Sequence, residues 1–375
     1  MQHHCYRCNA PLTKSNQSVE HIIQNCIGGS LRSNCLLCST CNKALGSTVD
    51  SEFSKQFDSL AALLNLKRDR LKSHVIKNLK TKGGDTYHLY NGRNPIPVKP
   101  TIEITDDGVY VSARNQQELT HILKQLKKKY PGLDIDNAPH HFQWHREYLR
   151  EPITIPMTID VDSFFKGMTK IAVNAYLHFG GDRKHVVNAV QSLNTVSPNV
   201  SLAQWFYPIE DIFSGDGEIS HTIYIKGCLK EKKLKVFVML FSCYGVTVDL
   251  SNTYDGDDIE LTYCYDVLQR KKLEKQLRIC FNIPEKEAYL LNKRYLATLQ
   301  KNLEKLMQII DYRQAKDSLD DLNRRIKSEI LSKYPKGAIA NDAILKEIAQ
   351  DAAAQYAEFV HHLKSRSSYQ NPDSA

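Results

Sequence analysis

"SVEHIIQNCIGGSLRSNCLLCSTCNKALGSTVD", residues 18–50, packs four cysteines and a Glu-His pair into one short run. Six of the chain's 10 cysteines fall in its first 41 residues, and this stretch holds most of those. Cys5 and Cys8 form one CxxC upstream, and Cys38 and Cys41 form another, with residues 9–37 between them. Two such pairs offer four thiolates, which Zn²⁺ accepts tetrahedrally at about 2.3 Å each. The spacer exceeds the roughly 15–20 residues of an ordinary zinc ribbon, so something further is folded between the knuckles. A second register exists, because Cys35-Leu36-Leu37-Cys38 is also a CxxC. Cys38/Cys41 is preferred, since Leu36 and Leu37 read as buried residues leading into the knuckle. Disulfides or buried thiols are the alternative use of these cysteines. "MQHHCYRC" has no apolar run of the secretory type, which points to a reducing cytoplasm and so to structural zinc.

The insert between the knuckles has its own pattern. "SVEHII" reads as a strand, "GGSLRSN" as a glycine-led turn toward a second strand, and "CSTCNKALGSTVD" as a short helix. Strand, strand and helix would then wrap a metal site braced by a zinc knuckle. In this order the sequence resembles the HNH endonuclease family, whose ββα-metal core is often braced by paired CxxC knuckles. The matching residues are "EHII", then "GG", then Asn34 ahead of "CSTCN", and finally "LGSTVD", so the resemblance covers about residues 5–57.

The resemblance implies roles by position. His21 stands where the family keeps its general base, and imidazole, with an ordinary pKa near 6.5, is largely neutral and able to accept a proton at cellular pH. Glu20 and Asn42 stand where the family binds one catalytic divalent ion, and their hard oxygens suit Mg²⁺ or Mn²⁺ better than a second zinc. Asn34 takes the middle position, where the family uses an amide to tie down the loop and orient the histidine. Three residues depart from the family's habit. Glu20 replaces the frequent Asp or His, Gln24 stands in place of a proline, and Asn42 replaces the final histidine. A neutral amide oxygen implies weaker metal binding than imidazole, and we read these as marks of a subtype. The alternative is a catalytically silent zinc ribbon that binds nucleic acid or serves as an adaptor. His21 beside a carboxylate weighs against it, because a pure ribbon has no need of that pair.

Composition fits a polyanionic partner: 50 Lys and Arg against 42 Asp and Glu give a net charge of +8. DNA is the partner that the family resemblance implies, with RNA as a second candidate and bacterial defence or a mobile element as the setting. The basic run "LKRDRLKSHVIKNLKTK", residues 66–82, offers Arg68, Arg70, Lys72, Lys77 and Lys80 for phosphate contacts; a solvated helix face explains it equally well. "LKQLKKKY", residues 123–130, reads as a solvated face. "APHHFQWHREYLR", residues 138–150, interleaves aromatic and basic residues as nucleic-acid contacts do, or as a loop packed on its own domain does.

The expected fold class is α+β, in blocks. Residues 1–60 form a small ββα-metal domain with its zinc knuckle, and 61–100 a basic helix followed by a Gly/Pro-rich connector. Residues 101–265 form an α+β domain with an antiparallel sheet. In it, "DVDSFFKGMTKIAVNAYLHFGG" (160–181) is an apolar helix, and residues 218–250 a strand meander turning at "KEKK". His221 reads as a strand-edge histidine. Residues 266–364 read as helical, either as one long arm or as a hairpin, and are able to pair two copies or to bind a partner protein. Residues 365–375 read as a disordered tail. No apolar run approaches a membrane span.

Overall fold

A computed structural model describes residues 3–67, 74–105, 108–132, 149, 151–194, 202–208, 217–281, 285–334 and 337–370. The chain forms two compact units, one of residues 1–74 with 156–311 and one of 75–155 with 312–375. These cut across the expected blocks, because the 101–265 region is shared out between both units.

The first unit opens with β1 (Glu20–His21) and β2 (Arg32–Ser33), an antiparallel pair in which Glu20 faces Ser33 and His21 faces Arg32. Between them Gly28, at φ 95°, closes a short 3₁₀ turn over Asn25–Ile27. Gly29 is required by contact: a Cβ there would lie 1.9 Å from the Ile23 carbonyl oxygen. Helix α1 (Ser39–Leu45) passes through a π turn at Gly46–Asp50 into α2 (Ser51–Lys55), and α3 (Asp58–Leu63) follows. The expected strand, strand and helix are therefore present, with strands of only two residues each.

The second unit takes up the chain with β3 (Val75–Lys80), β4 (Thr86–Tyr90) and β5 (Asn94–Pro97), a three-stranded antiparallel meander. This corrects the expected basic helix and connector of 61–100, in its described part. The missed signal is Asn91-Gly92, both at positive φ (53° and 72°), the turn chemistry that joins hairpin strands. Pro95 and Pro97 fit because β5 is an edge strand, where a missing N–H costs no ladder bond. Strands β6 (Thr101–Thr105) and β7 (Gly108–Ser112) form a separate hairpin, followed by α4 (Gln116–Lys129), capped by the Asn115 side chain. Ile122 and Leu126 are buried on α4, while Lys127, Lys128 and Lys129 are exposed, as expected.

Helix α5 (Val161–His178) returns to the first unit, with Asp160 accepting from Ser163 N as its N-cap and Gly180 at φ 92° beyond its end. After α6 (Val187–Ser192) come β8 (Ala203–Trp205), β9 (Ser220–Cys228), β10 (Lys233–Leu240), β11 (Tyr244–Ser251), β12 (Ile259–Asp266) and β13 (Lys271–Leu273). They make one antiparallel sheet in the order β13-β12-β9-β10-β11-β8. Strand β9 is thus interior, and His221 on it is 0% exposed, which corrects the strand-edge reading. Its Nε2–H donates to Ile27 O at 2.8 Å and its Nδ1 accepts from Phe241 N at 3.2 Å.

The larger of two hydrophobic clusters in this unit runs through the ββα segment, α5 and the sheet. Phe53 and Phe57, from α2 and the turn after it, meet Phe164 of α5 at 5.9 and 6.1 Å between ring centroids, and Phe57 meets Phe241 at 5.5 Å. Helix α5 packs on α2 and the π turn on one side and on β8 to β11 on the other. That double burial explains its nearly all-round apolar sequence. The approach of α2 depends on Gly167, where a Cβ would lie 2.0 Å from the Phe53 ring. The small N-terminal ββα segment therefore shares its core with α5 and the sheet.

The helical region begins later than residue 266. Asp266 Oδ1 accepts from Leu268 N and Gln269 N, and Arg270 at φ 55° completes the turn that sends the chain back as β13. Helix α7 (Glu285–Lys333) is one continuous helix, and α8 (Asp342–Gln370) extends into the expected tail. Residues from 312 onward form an antiparallel hairpin in the second unit, with Leu322, Ile326 and Phe359 buried together and Tyr356 donating to Asn323 at 2.6 Å. Among the described residues, no helix is long and apolar enough to cross a membrane.

Candidate active site

The four cysteines converge. The Sγ atoms of Cys5, Cys8, Cys38 and Cys41 all lie within 4.8 Å of one another, and Cys8 and Cys38 are 3.8 Å apart. Four sulfurs at about 2.3 Å from a tetrahedral zinc would stand roughly 3.8 Å from each other. The donor set fits that ion, and Cys35, the alternative ligand, lies outside it. Burial pushes the Cys5 thiol up, but backbone N–H groups of Cys8, Cys38 and Arg7 outweigh it and hold the thiol at about 7, partway to a thiolate. Leu36 and Leu37, 3% and 0% exposed, seat the second knuckle as expected. Arg183 braces the first, donating to Tyr6 O and Asn9 Oδ1, both at 2.9 Å.

Beside this cluster lies a cleft of about 370 Å³, lined by Val19, Glu20, His21, Gln24, Asn25, Cys26, Asn42, Gly46, Asp50, Ser51 and Ser54. One wall is β1 and the turn after it. The other is the continuous helical run from α1 to α2, which presents Asn42, Gly46, Asp50 and Ser54 at four-residue steps on a single face. His21, Glu20 and Asn42 are thereby brought together. Asn42 spends both amide hydrogens on the protein, donating to Ser18 Oγ at 3.1 Å and Val19 O at 3.2 Å. Its Oδ1 is the atom left to serve a cation.

Asn34 is not part of this cleft. It is exposed beyond β2, and its Oδ1 accepts from the Cys35 thiol at 3.2 Å. Lys77 and Lys80 are exposed on β3, in the second unit, whereas Arg68, Arg70, Lys72 and nearly all of 138–150 lie outside the described residues.

Gln24 and Asp50 in the cleft, and Lys170 and Asn174 behind it on α5, carry no role in the sequence analysis. Lys170 Nζ lies 2.6 Å from Glu20 Oε1 and 2.5 Å from Asp50 Oδ2. Asn174 Nδ2 donates to the same Glu20 Oε1 at 3.0 Å, and Gln24 Nε2 to Asp50 Oδ1 at 2.8 Å. Burial raises the Glu20 carboxyl above its ordinary range, against the pull of Lys170, with Asp50 adding to the rise. Gln24 Oε1 is buried with no hydrogen-bond partner among the described residues. Glu20, Asn42 and Gln24 thus offer hard oxygens to one cleft, the donor chemistry that Mg²⁺ or Mn²⁺ takes. The local signal for Asp50 was its spacing from Asn42. For Lys170 and Asn174 it was a polar i, i+4 pair on an apolar helix.

A cysteine cluster with the spacing of a zinc knuckle thus brackets a ββα element that carries a histidine-carboxylate pair. Residues 5–58 match the family model of the HNH endonuclease, so the chain carries an HNH endonuclease domain. Neither curated proteins nor solved structures gave a match to the chain.

Proposed function

We propose that the protein is a metal-dependent HNH endonuclease that hydrolyses phosphodiester bonds in DNA. The observation that carries this reading is the meeting of His21, Glu20 and Asn42 in one cleft, inside the segment that matches the family. His21 is the general base and takes a proton from the attacking water. Glu20 and Asn42 hold one Mg²⁺ or Mn²⁺, with Gln24 Oε1 as a further oxygen at the same cleft. The ion, when bound, offsets the charge of the phosphate and of the leaving 3′-oxygen. Asn34, at the end of β2, fastens the loop without touching the reacting groups. The exposed Lys77 and Lys80, with Arg68, Arg70 and Lys72, contribute phosphate contacts, each of which steepens the salt dependence of binding.

Plasmid, linear duplex, single-stranded DNA and RNA incubated with Mg²⁺ or Mn²⁺, with and without EDTA, test this. EDTA should abolish cleavage, and His21→Ala should lower it by about 10²–10⁴-fold with little change in binding. Cleavage by the His21→Ala protein at the parent's rate would remove His21 from this role. A zinc-braced module that binds without cutting is the reading that Glu20's engagement by Lys170 favours. It predicts no metal-dependent cleavage of any of the four substrates.

A further inference from the structure

Lys170 belongs to α5, far along the chain from the family-matched segment, and is 1% exposed. Removing an ammonium from water is costly, and an apolar side chain of the same length would fill this place without that cost. What the lysine adds is geometry. Its Nζ reaches one oxygen of Glu20 and one of Asp50 at once, 2.6 and 2.5 Å away. Asn174, one turn on, donates to the same Glu20 oxygen at 3.0 Å and to the His21 carbonyl at 3.5 Å. Gln24 holds the other oxygen of Asp50 at 2.8 Å. Glu20 Oε1 is thus taken by two donors from α5, which leaves Oε2 for a cation.

We propose that Lys170 is a positioning residue of the HNH cleft, with two effects. It fixes the Glu20 carboxylate by Oε1, and its own charge fills the gap between Glu20 and Asp50, so that a divalent ion cannot settle there. Without the ammonium, two carboxylates within reach of one point would form a hard-oxygen pair of the kind Mg²⁺ and Mn²⁺ bind. An ion drawn into that gap would sit on the wrong side of Glu20. The proposal rests on the nuclease reading for its effect on rate, but its effect on metal binding stands apart from it.

The test uses the full-length, zinc-loaded chain and its Lys170→Met, Lys170→Arg, Asn174→Leu and Lys170→Met/Asp50→Asn variants. Mn²⁺ binding is read by electron paramagnetic resonance without nucleic acid. Cleavage against Mn²⁺ is separated into maximal rate and half-saturating concentration. Lys170→Met should bind Mn²⁺ more tightly, or bind one more ion, while its maximal rate falls about 10–100-fold and is not restored by excess Mn²⁺. Asp50→Asn in the same chain should abolish the added binding. Lys170→Arg should bind as the parent does, and Asn174→Leu should lose maximal rate several-fold. Should Lys170→Met fail to fold, parent-like rates in Asn174→Leu would by themselves overturn the proposal. A folded Lys170→Met protein with the parent's Mn²⁺ binding and rate overturns it too, and leaves Lys170 an ion pair that only fastens α5. If the parent cuts nothing, the nuclease reading falls, and a gain of Mn²⁺ binding in Lys170→Met still supports the placement of the lysine.

Discussion

His221 ties the first turn of the ββα segment to the centre of the sheet, and it can do so only while neutral. Its Nε2–H serves the Ile27 carbonyl, and its Nδ1 must keep a lone pair for Phe241 N–H. Complete burial pushes its pKa down to about 4, from 6.5. The unfolded chain therefore binds more protons between these values, so the stability present above pH 6.5 is lost as pH falls toward 4. With those two values, about 2 kcal/mol should be gone by pH 5, and about 3 kcal/mol at the limit. Trp205 stacks on Phe164 at 4.7 Å and reports this unit, so urea unfolding can be followed by its fluorescence in a Trp144→Phe background. The parent is compared with His221→Gln, which keeps a donor and an acceptor but does not titrate. The parent should lose about 2 kcal/mol more than the variant between pH 7.5 and 5. Equal losses in the two proteins would mean that the fold does not hold His221 neutral, since every other titrating group is shared.

Purified protein should hold about one zinc per chain, measured by elemental analysis, and Cys8→Ser should lower both zinc content and soluble yield. Asn42→Ala should cut slowly at low Mn²⁺ and recover in part at high Mn²⁺, because mass action refills a weakened site; Glu20→Ala should recover less, having lost the charged ligand. Gly167→Ala should lower thermal stability by an amount near 1–3 kcal/mol through overpacking against Phe53, read by calorimetry.

The cysteine cluster and the meeting of Glu20, His21 and Asn42 were legible because they depend on local spacing: CxxC pairs, a Glu-His step, an asparagine one residue past a cysteine. The Leu36-Leu37 pair even settled the register of the second knuckle. Lys170 and Asn174 show in the sequence only as a polar pair on an apolar helix, and their partner is not legible, for the opposite reason. They reach Glu20 across about 150 residues of chain, and a single sequence carries no record of which distant helix docks where. Residues 75–97 were misread because lysines hid the alternation around Leu79, while the Asn91-Gly92 turn went unused. His221 was placed on the right strand, but the order of strands in a sheet is set by long-range pairing, and so its interior position could not be read.

The continuous aromatic core has a consequence for anyone who would move the nuclease motif elsewhere. A fragment cut near residue 60 would carry Phe53 and Phe57 with their partners on α5 and the sheet removed. Leaving such a ring in water costs at most roughly 1.5–3 kcal/mol. The same cut would take away Lys170 and Asn174. The match to a known family ends at residue 58, but the core and the contacts of Glu20 run beyond it. The matched segment is not a cassette: transplanted alone it should aggregate, and only together with α5 and its sheet should it travel intact.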